Sequence, residues 1–247
     1  GMVYTFDSNG GLIEQKNKNN DSIYITRDSN GSIIAITEPK GRSLQFTNGP
    51  GFFTDGGWVY LITSITDPAG RRVEYSYDPL GRLIEVKNPE GGITRYNYDA
   101  QSRITSIVNP RGITVVTNQY DGAGRISQQT HADGGVFNIT YTTAGSAVTQ
   151  TVVTDPLGNT TTYRFNSNRY CTEIINPVGG QTIRDYAIGT NLLNSVTDEL
   201  GRTTTYTFDN NGNITSMTDP AGNITSYQYE PTFNKLTQIQ DALGNIT

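Results

Sequence analysis

Five aspartates, Asp67, Asp155, Asp198, Asp219 and Asp241, recur at matching places in similar short phrases along a chain of 247 residues. A row of carboxylates is the raw material of a calcium site, of a sugar-binding surface or, where two face each other, of the acid pair of a glycosidase. The matching places at Asn88, Asn109 and Asn176 hold asparagine instead. Asparagine replaces aspartate freely where the side chain accepts backbone hydrogen bonds in a turn. It is no general acid, and it is a weaker cation ligand. The exchange therefore favours turn chemistry over catalysis. The basic positions that follow obey the same logic. Arg71, Arg82, Arg125 and Arg202 give way to Asn159, Asn213, Asn223 and Asn245 in sister phrases, which a turn-flanking surface residue tolerates and a catalytic arginine does not.

Other candidate residues point the same way. Asp7-Ser8-Asn9-Gly10, Asp28-Ser29-Asn30-Gly31 and Asp209-Asn210-Asn211-Gly212 begin like calcium loops, yet none carries the bidentate glutamate at the twelfth position that an EF-hand needs. His131, the one histidine, stands where sister phrases have Asp or Asn and reads as a turn residue. A lone histidine excludes a zinc site built on two, and a lone cysteine, Cys171, excludes an internal disulfide or thiolate cluster. No catalytic, cofactor-binding or metal-ligating residue is assigned. Seven Asn-x-Ser/Thr sequons (at Asn20, Asn30, Asn138, Asn159, Asn213, Asn223 and Asn245) read as by-products of turn chemistry. One feature breaks the pattern: residues 48–61 form an aromatic insertion, expected as a loop, with Phe52, Phe53, Trp58 and Tyr60 close together. Aromatics beside Gly and Asp suit a sugar-stacking platform or a partner contact. The plainer alternative is a loop that folds inward to plug the lining or cap an edge, and it is the favoured one.

The elements that position these residues follow from a repeat. Phrases of the type Asp67-Pro68-Ala69-Gly70-Arg71 start at 17, 38, 67, 88, 109, 131, 155, 176, 198, 219 and 241, mostly 21 or 22 residues apart. A second phrase lies between them, as in Tyr75-Ser76-Tyr77-Asp78-Pro79-Leu80-Gly81-Arg82-Leu83. Asp or Asn bonds the backbone ahead of it, Pro presets φ, and Gly accepts a positive φ, so each phrase is a turn. Between the turns, Val73, Tyr75 and Tyr77 alternate with Arg72, Glu74 and Ser76, the period of a half-buried strand. On the return strand the apolar residues Leu83 and Val86 are three apart, which puts them on opposite faces unless a bulge intervenes; both arrangements remain open. The composition agrees: 35 Thr, 23 Asn and 27 Gly, with 34% hydrophobic residues, favour strands and turns and exclude a helical protein. The expected fold is all-β. Tandem antiparallel hairpins with a 21–22 residue period build a single array over residues 1–247, with roughly twenty strands of about six residues. A meander that long is expected to curl into a partial β-shell or solenoid, because twisted open sheets rarely exceed about ten strands.

The signature Tyr-x-Tyr-Asp-x-x-Gly-Arg-Leu followed by Asp/Asn-Pro-x-Gly resembles the RHS/YD-repeat family. Tyr75 to Leu83 with Asn88-Pro89, and Phe208 to Ile214 with Asp219-Pro220-Ala221-Gly222, carry the resemblance, which covers nearly the whole chain. It implies a β-ribbon that spirals into a hollow shell, as in bacterial polymorphic toxins, insecticidal toxin complexes and teneurins, with the bacterial shells enclosing a toxic C-terminal domain. The family's self-cleaving core carries an Asp-Pro-x-Gly-Leu run. The Asn-Pro phrases here lead into ordinary repeats, so no catalytic residue carries over.

The resulting expectation is a non-catalytic structural segment of a longer, secreted or cell-surface bacterial RHS protein, part of a wall that encloses or presents a toxin or other cargo. Its partners would be the downstream RHS core and toxin domain. The alternatives are an extracellular carbohydrate-binding or adhesion module and, more remotely, a glycosidase. A net charge of −5 argues against nucleic acid, and no apolar run approaches the roughly 20 residues of a membrane helix. Read as a fragment with open strand edges, the chain is expected to associate edge to edge with copies of itself.

Overall fold

The computed structural model describes residues 2–54 and 57–247, with side chains at all of these except 51–59. Over the described residues the chain is all-β, with twenty-two strands and no helix. It divides into two compact units, residues 1–119 with 130–134, and 120–129 with 135–247. The first contains β1 (Val3–Phe6), β2 (Leu12–Lys16), β3 (Ser22–Arg27), β4 (Ile33–Thr37), β5 (Ser43–Thr54), β6 (Gly57–Thr66), β7 (Arg72–Tyr77), β8 (Leu83–Lys87), β9 (Ile93–Tyr98), β10 (Ile104–Val108) and nearly all of β11 (Thr114–Tyr120). β12 (Ile126–His131) has residues in each unit. The second contains β13 (Val136–Ala144), β14 (Ala147–Thr154), β15 (Thr160–Phe165), β16 (Cys171–Ile175), β17 (Gln181–Tyr186), β18 (Leu193–Thr197), β19 (Thr203–Phe208), β20 (Ile214–Thr218), β21 (Ile224–Tyr229) and β22 (Leu236–Gln240). From β1 to β11, and again from β13 to β22, each strand pairs antiparallel with its sequence neighbours.

The turns explain the period. At residues 67–71 the Asp67 N–H donates to the Arg71 carbonyl (3.0 Å) and the Gly70 N–H donates to the Asp67 carbonyl (2.9 Å). Gly70 sits at φ 80°, the left-handed position that closes a type I turn with a bulge. Residues 78–82 and 88–92 repeat this pair of bonds. A six-residue strand, a five-residue strand and two such turns bring the chain back to the same point every 21 residues.

The return strand is bulged. Tyr77 pairs with Leu83 and Ser76 with Glu85, so Ile84 is skipped, and Tyr75 then pairs with Val86. The same shift recurs between β9 and β10, β17 and β18, β19 and β20, and β21 and β22. This settles the spacing of three: the extra residue returns Val86 to the face of Leu83, alongside Tyr75 and Tyr77. One face of each hairpin is therefore aromatic and aliphatic. The other is polar and cross-linked, with Arg95 bonded to Glu85 at 2.8 Å and Lys87 to Glu74 at 3.0 Å. No hydrophobic residue is buried among the described residues. Stability must come from local ladders, turns and half-covered apolar stripes.

Candidate functional site

The recurring aspartates are consumed by their own turns. Asp67 Oδ1 accepts the N–H groups of Ala69 and Arg71, both at 2.9 Å, and Oδ2 accepts the Arg71 Nε at 2.7 Å. Asp155, Asp198, Asp219 and Asp241 make the same three bonds, with Asn159, Arg202, Asn223 and Asn245 as the side-chain donors. Those side-chain bonds, followed by the backbone ones, hold the carboxyls below the usual aspartate range. A general acid needs the opposite shift. Asn109 does the backbone work equally well, accepting from Arg111 (2.9 Å) and Ile113 (3.1 Å).

The phrases that resemble calcium loops are built alike. Asp28 Oδ1 accepts from Asn30 and Ser32, both at 2.9 Å, and Asp209 Oδ1 from Asn211 and Asn213. The His131 carbonyl accepts the Gly134 N–H at 3.0 Å, so His131 opens a turn as its place in the repeat suggests. Among the described residues, no group of three or more His, Cys, Asp or Glu is placed to hold a metal.

The two kinds of turn nevertheless differ in where their arginines lie. In the turns at 67–71 and 198–202 the arginines are exposed, with side-chain exposure of 70% at Arg71 and 63% at Arg202. In the Tyr-Asp turns Arg82 keeps only 24% and reaches the next repeat. It bonds Asp78 at 2.6 Å, donates to the Asp99 carbonyl at 3.1 Å, and lies 4.9 Å from the Tyr98 ring centre. Arg125 likewise covers Tyr141 at 4.4 Å while paired with Asp121. The tyrosine hydroxyls make a second link. Tyr77, Tyr98, Tyr141 and Tyr186 donate to the carbonyls of Ile62, Leu83, Ile126 and Cys171, each fifteen residues back. Leu83 stands beside the bulged Ile84, where the ladder from β8 to β9 has ended at Glu85. Burial pushes the hydroxyls of Tyr77, Tyr98 and Tyr141 above the ordinary phenol value. The signal for both links is present in the fixed order Tyr-x-Tyr-Asp-x-x-Gly-Arg, but the partner lies in the adjacent hairpin.

The aromatic insertion differs from the expected loop. Its described backbone is strand, as β5 and β6 run on to Thr54 and from Gly57, with Phe52 opposite Val59 and Phe53 opposite Trp58. A ladder of this length satisfies the backbone groups that a loop would leave to solvent. Tyr60 is 43% exposed. The side chains of Phe52, Phe53 and Trp58 lie outside the described residues.

Self-contained turns, staples between repeats and two-faced hairpins define a tandem β-hairpin scaffold. The family model described as RHS Repeat matches residues 61–93, 78–114, 98–136, 189–224 and 208–246, together more than half of the chain. The chain belongs to the RHS-repeat family. Among solved structures it is similar to a Tc holotoxin pore from Photorhabdus luminescens, with a TM-score of 0.55 at 12% identity, over 96% of this chain and 17% of that one. That likeness supports the fold. A crystal structure titled TcdB2-TccC3 aligns over 97% of this chain and 19% of that chain at 14% identity, with a TM-score of only 0.34. The chain thus spans less than a fifth of these two toxin-complex chains. No curated protein matches.

Proposed function

We propose that this chain is a non-catalytic wall segment of a longer RHS-repeat protein, secreted or displayed at the bacterial cell surface, whose sheet encloses or presents a toxin or other cargo. The observation that carries the reading is the use of the recurring Asp side chains in their own turns and of Arg82, Arg125, Tyr77, Tyr98, Tyr141 and Tyr186 in links between hairpins. The residues that repeat are joinery, and the product of the joinery is an extended sheet with one apolar and one polar face. The downstream core and cargo of the parent chain are the partners this role requires. Limited proteolysis of the parent protein, intact and with residues 1–247 deleted, tests it. Cargo that is protected in the intact protein and cleaved after the deletion supports the role. Equal cleavage in both removes it.

A second reading has one observation in its favour, the exposure of Tyr60 on β6. Tyr60 with Phe52, Phe53 and Trp58 would form an aromatic contact for a carbohydrate or a partner. Titration with glycans, followed by Trp58 fluorescence, tests it, and a flat response across a glycan array discards it.

A further inference from the structure

Among the described residues the arginine staples stop at Tyr141. Arg82 covers Tyr98 and Arg125 covers Tyr141, and the next ring in that sequence of hairpins is Phe165. The connection before it is no five-residue Tyr-Asp turn. β13 and β14 run on to a two-residue connection at Gly145-Ser146, and residues 142–150 contain no arginine. A cavity of about 360 Å³ lies there, lined by Tyr141, Ser146, Val148, Thr151, Phe165 and Arg169. That volume falls in the roughly 300–1,000 Å³ range of small-molecule pockets.

Arg169 shares its left-handed turn position with Asn20 and Ser102 but, unlike them, carries a charge. It occupies the glycine place of the turn at 166–170, where its N–H donates to the Asn166 carbonyl at 2.9 Å, and its φ is 69°. A side chain on a left-handed backbone costs about 1–2 kcal/mol that glycine would not, and such strain collects at functional sites. The turn opens with Asn166, and its fifth place, which holds the aspartate-paired Arg71, Arg82, Arg125 and Arg202 in their turns, is Tyr170 here, so no carboxylate within residues 166–170 stands beside Arg169. Among the described residues Arg169 has no ion-pair partner, and it is exposed.

We propose that this cavity binds a small aromatic carboxylate. The ring would lie against Phe165 and Tyr141, and the carboxylate would take the two-pronged guanidinium of Arg169, with the Ser146 and Thr151 hydroxyls as further donors. Charge complementarity selects the anion, and the aromatic walls select a flat apolar body. The site is independent of the wall reading, and its failure leaves that reading intact.

The test uses benzoate as probe, with benzamide as its neutral counterpart and benzylamine as its charge reversal, in ligand-observed NMR titrations of the whole chain. Benzoate should bind in preference to both. Arg169→Gly removes the guanidinium and relieves the strained backbone, so it should unfold at the same temperature as the parent or higher while binding benzoate roughly tenfold more weakly. Phe165→Leu, with its strand signature intact by circular dichroism, should also weaken benzoate. Equal binding of benzoate and benzamide, no saturable benzoate binding, or unchanged benzoate affinity in Arg169→Gly would each overturn the proposal.

Discussion

At the residue scale, the side chains that look most like chemistry are those most fully engaged in structure. An aspartate whose Oδ1 takes two backbone donors and whose Oδ2 takes a side-chain donor has little capacity left for a substrate. This has a pH consequence. Asp67, Asp155, Asp198, Asp219 and Asp241 are held below their ordinary values by the Arg or Asn four residues on, so folding favours their ionised forms. The stabilisation is complete above the ordinary aspartate value of about 3.9 and is lost as pH falls through the lower folded values. Thermal unfolding should show a Tm that is flat in these groups from neutral pH to pH ~4.5 and falls below pH ~3.9. Asp67→Asn should blunt that fall slightly and leave the fold intact. Tyr98→Phe removes the hydroxyl bonded to the Leu83 carbonyl, and should cost about 1 kcal/mol in denaturant unfolding, with no change in strand content.

At the element scale, the hairpins are legible in the sequence because Asp-Pro-x-Gly has a steric mechanism. Every turn start inferred from Asp67 to Asp241 is the first residue of a turn or, at His131, the last of a strand leading into one. The bulge is not legible. A spacing of three between Leu83 and Val86 fits two registers, and only the pairing of Tyr77 with Leu83 and Tyr75 with Val86 decides between them. The Gly-Arg pair alone does not separate Arg82 from Arg71, since both bond the aspartate four residues back; only the Tyr-x-Tyr before Asp78 sets Arg82 apart. They differ in what the adjacent hairpin offers, a Tyr98 ring in one case and solvent in the other. The glycines of 48–61 suggest a loop, whereas β5 and β6 absorb the described backbone of this insertion into an extended ladder. The bulge makes a sharp prediction. Deleting Ile84 alone keeps Glu85 opposite Ser76 and Val86 opposite Tyr75, whereas deleting Ile84 and Glu85 together moves Lys87 opposite Tyr75 on the apolar face if the pairing of Tyr77 with Leu83 is kept. The double deletion should abolish cooperative unfolding of the first unit, while deletion of Ile84 alone should retain it, as read by circular dichroism melts.

At the scale of the whole molecule, an array with no buried hydrophobic residue among those described is stable hairpin by hairpin, in the manner of repeat proteins. Its edges then matter. Among the described residues β1 pairs only with β2, and Val3, Tyr4 and Phe6 are each more than half exposed. An apolar strand with one unpaired side seeks a partner strand. Sedimentation velocity of this 247-residue chain should show concentration-dependent self-association, which Val3→Lys with Thr5→Lys suppresses; a monomer at all concentrations would exclude the edge as a contact. The central claim, that each hairpin is locked to its neighbours by ladders, tyrosine hydroxyls and arginine staples, is tested most directly by residue-resolved amide hydrogen exchange. Slow exchange should extend through successive strands of each unit, β7 to β10 and β15 to β21 included. Rapid exchange across two or more consecutive strands within those runs would contradict it.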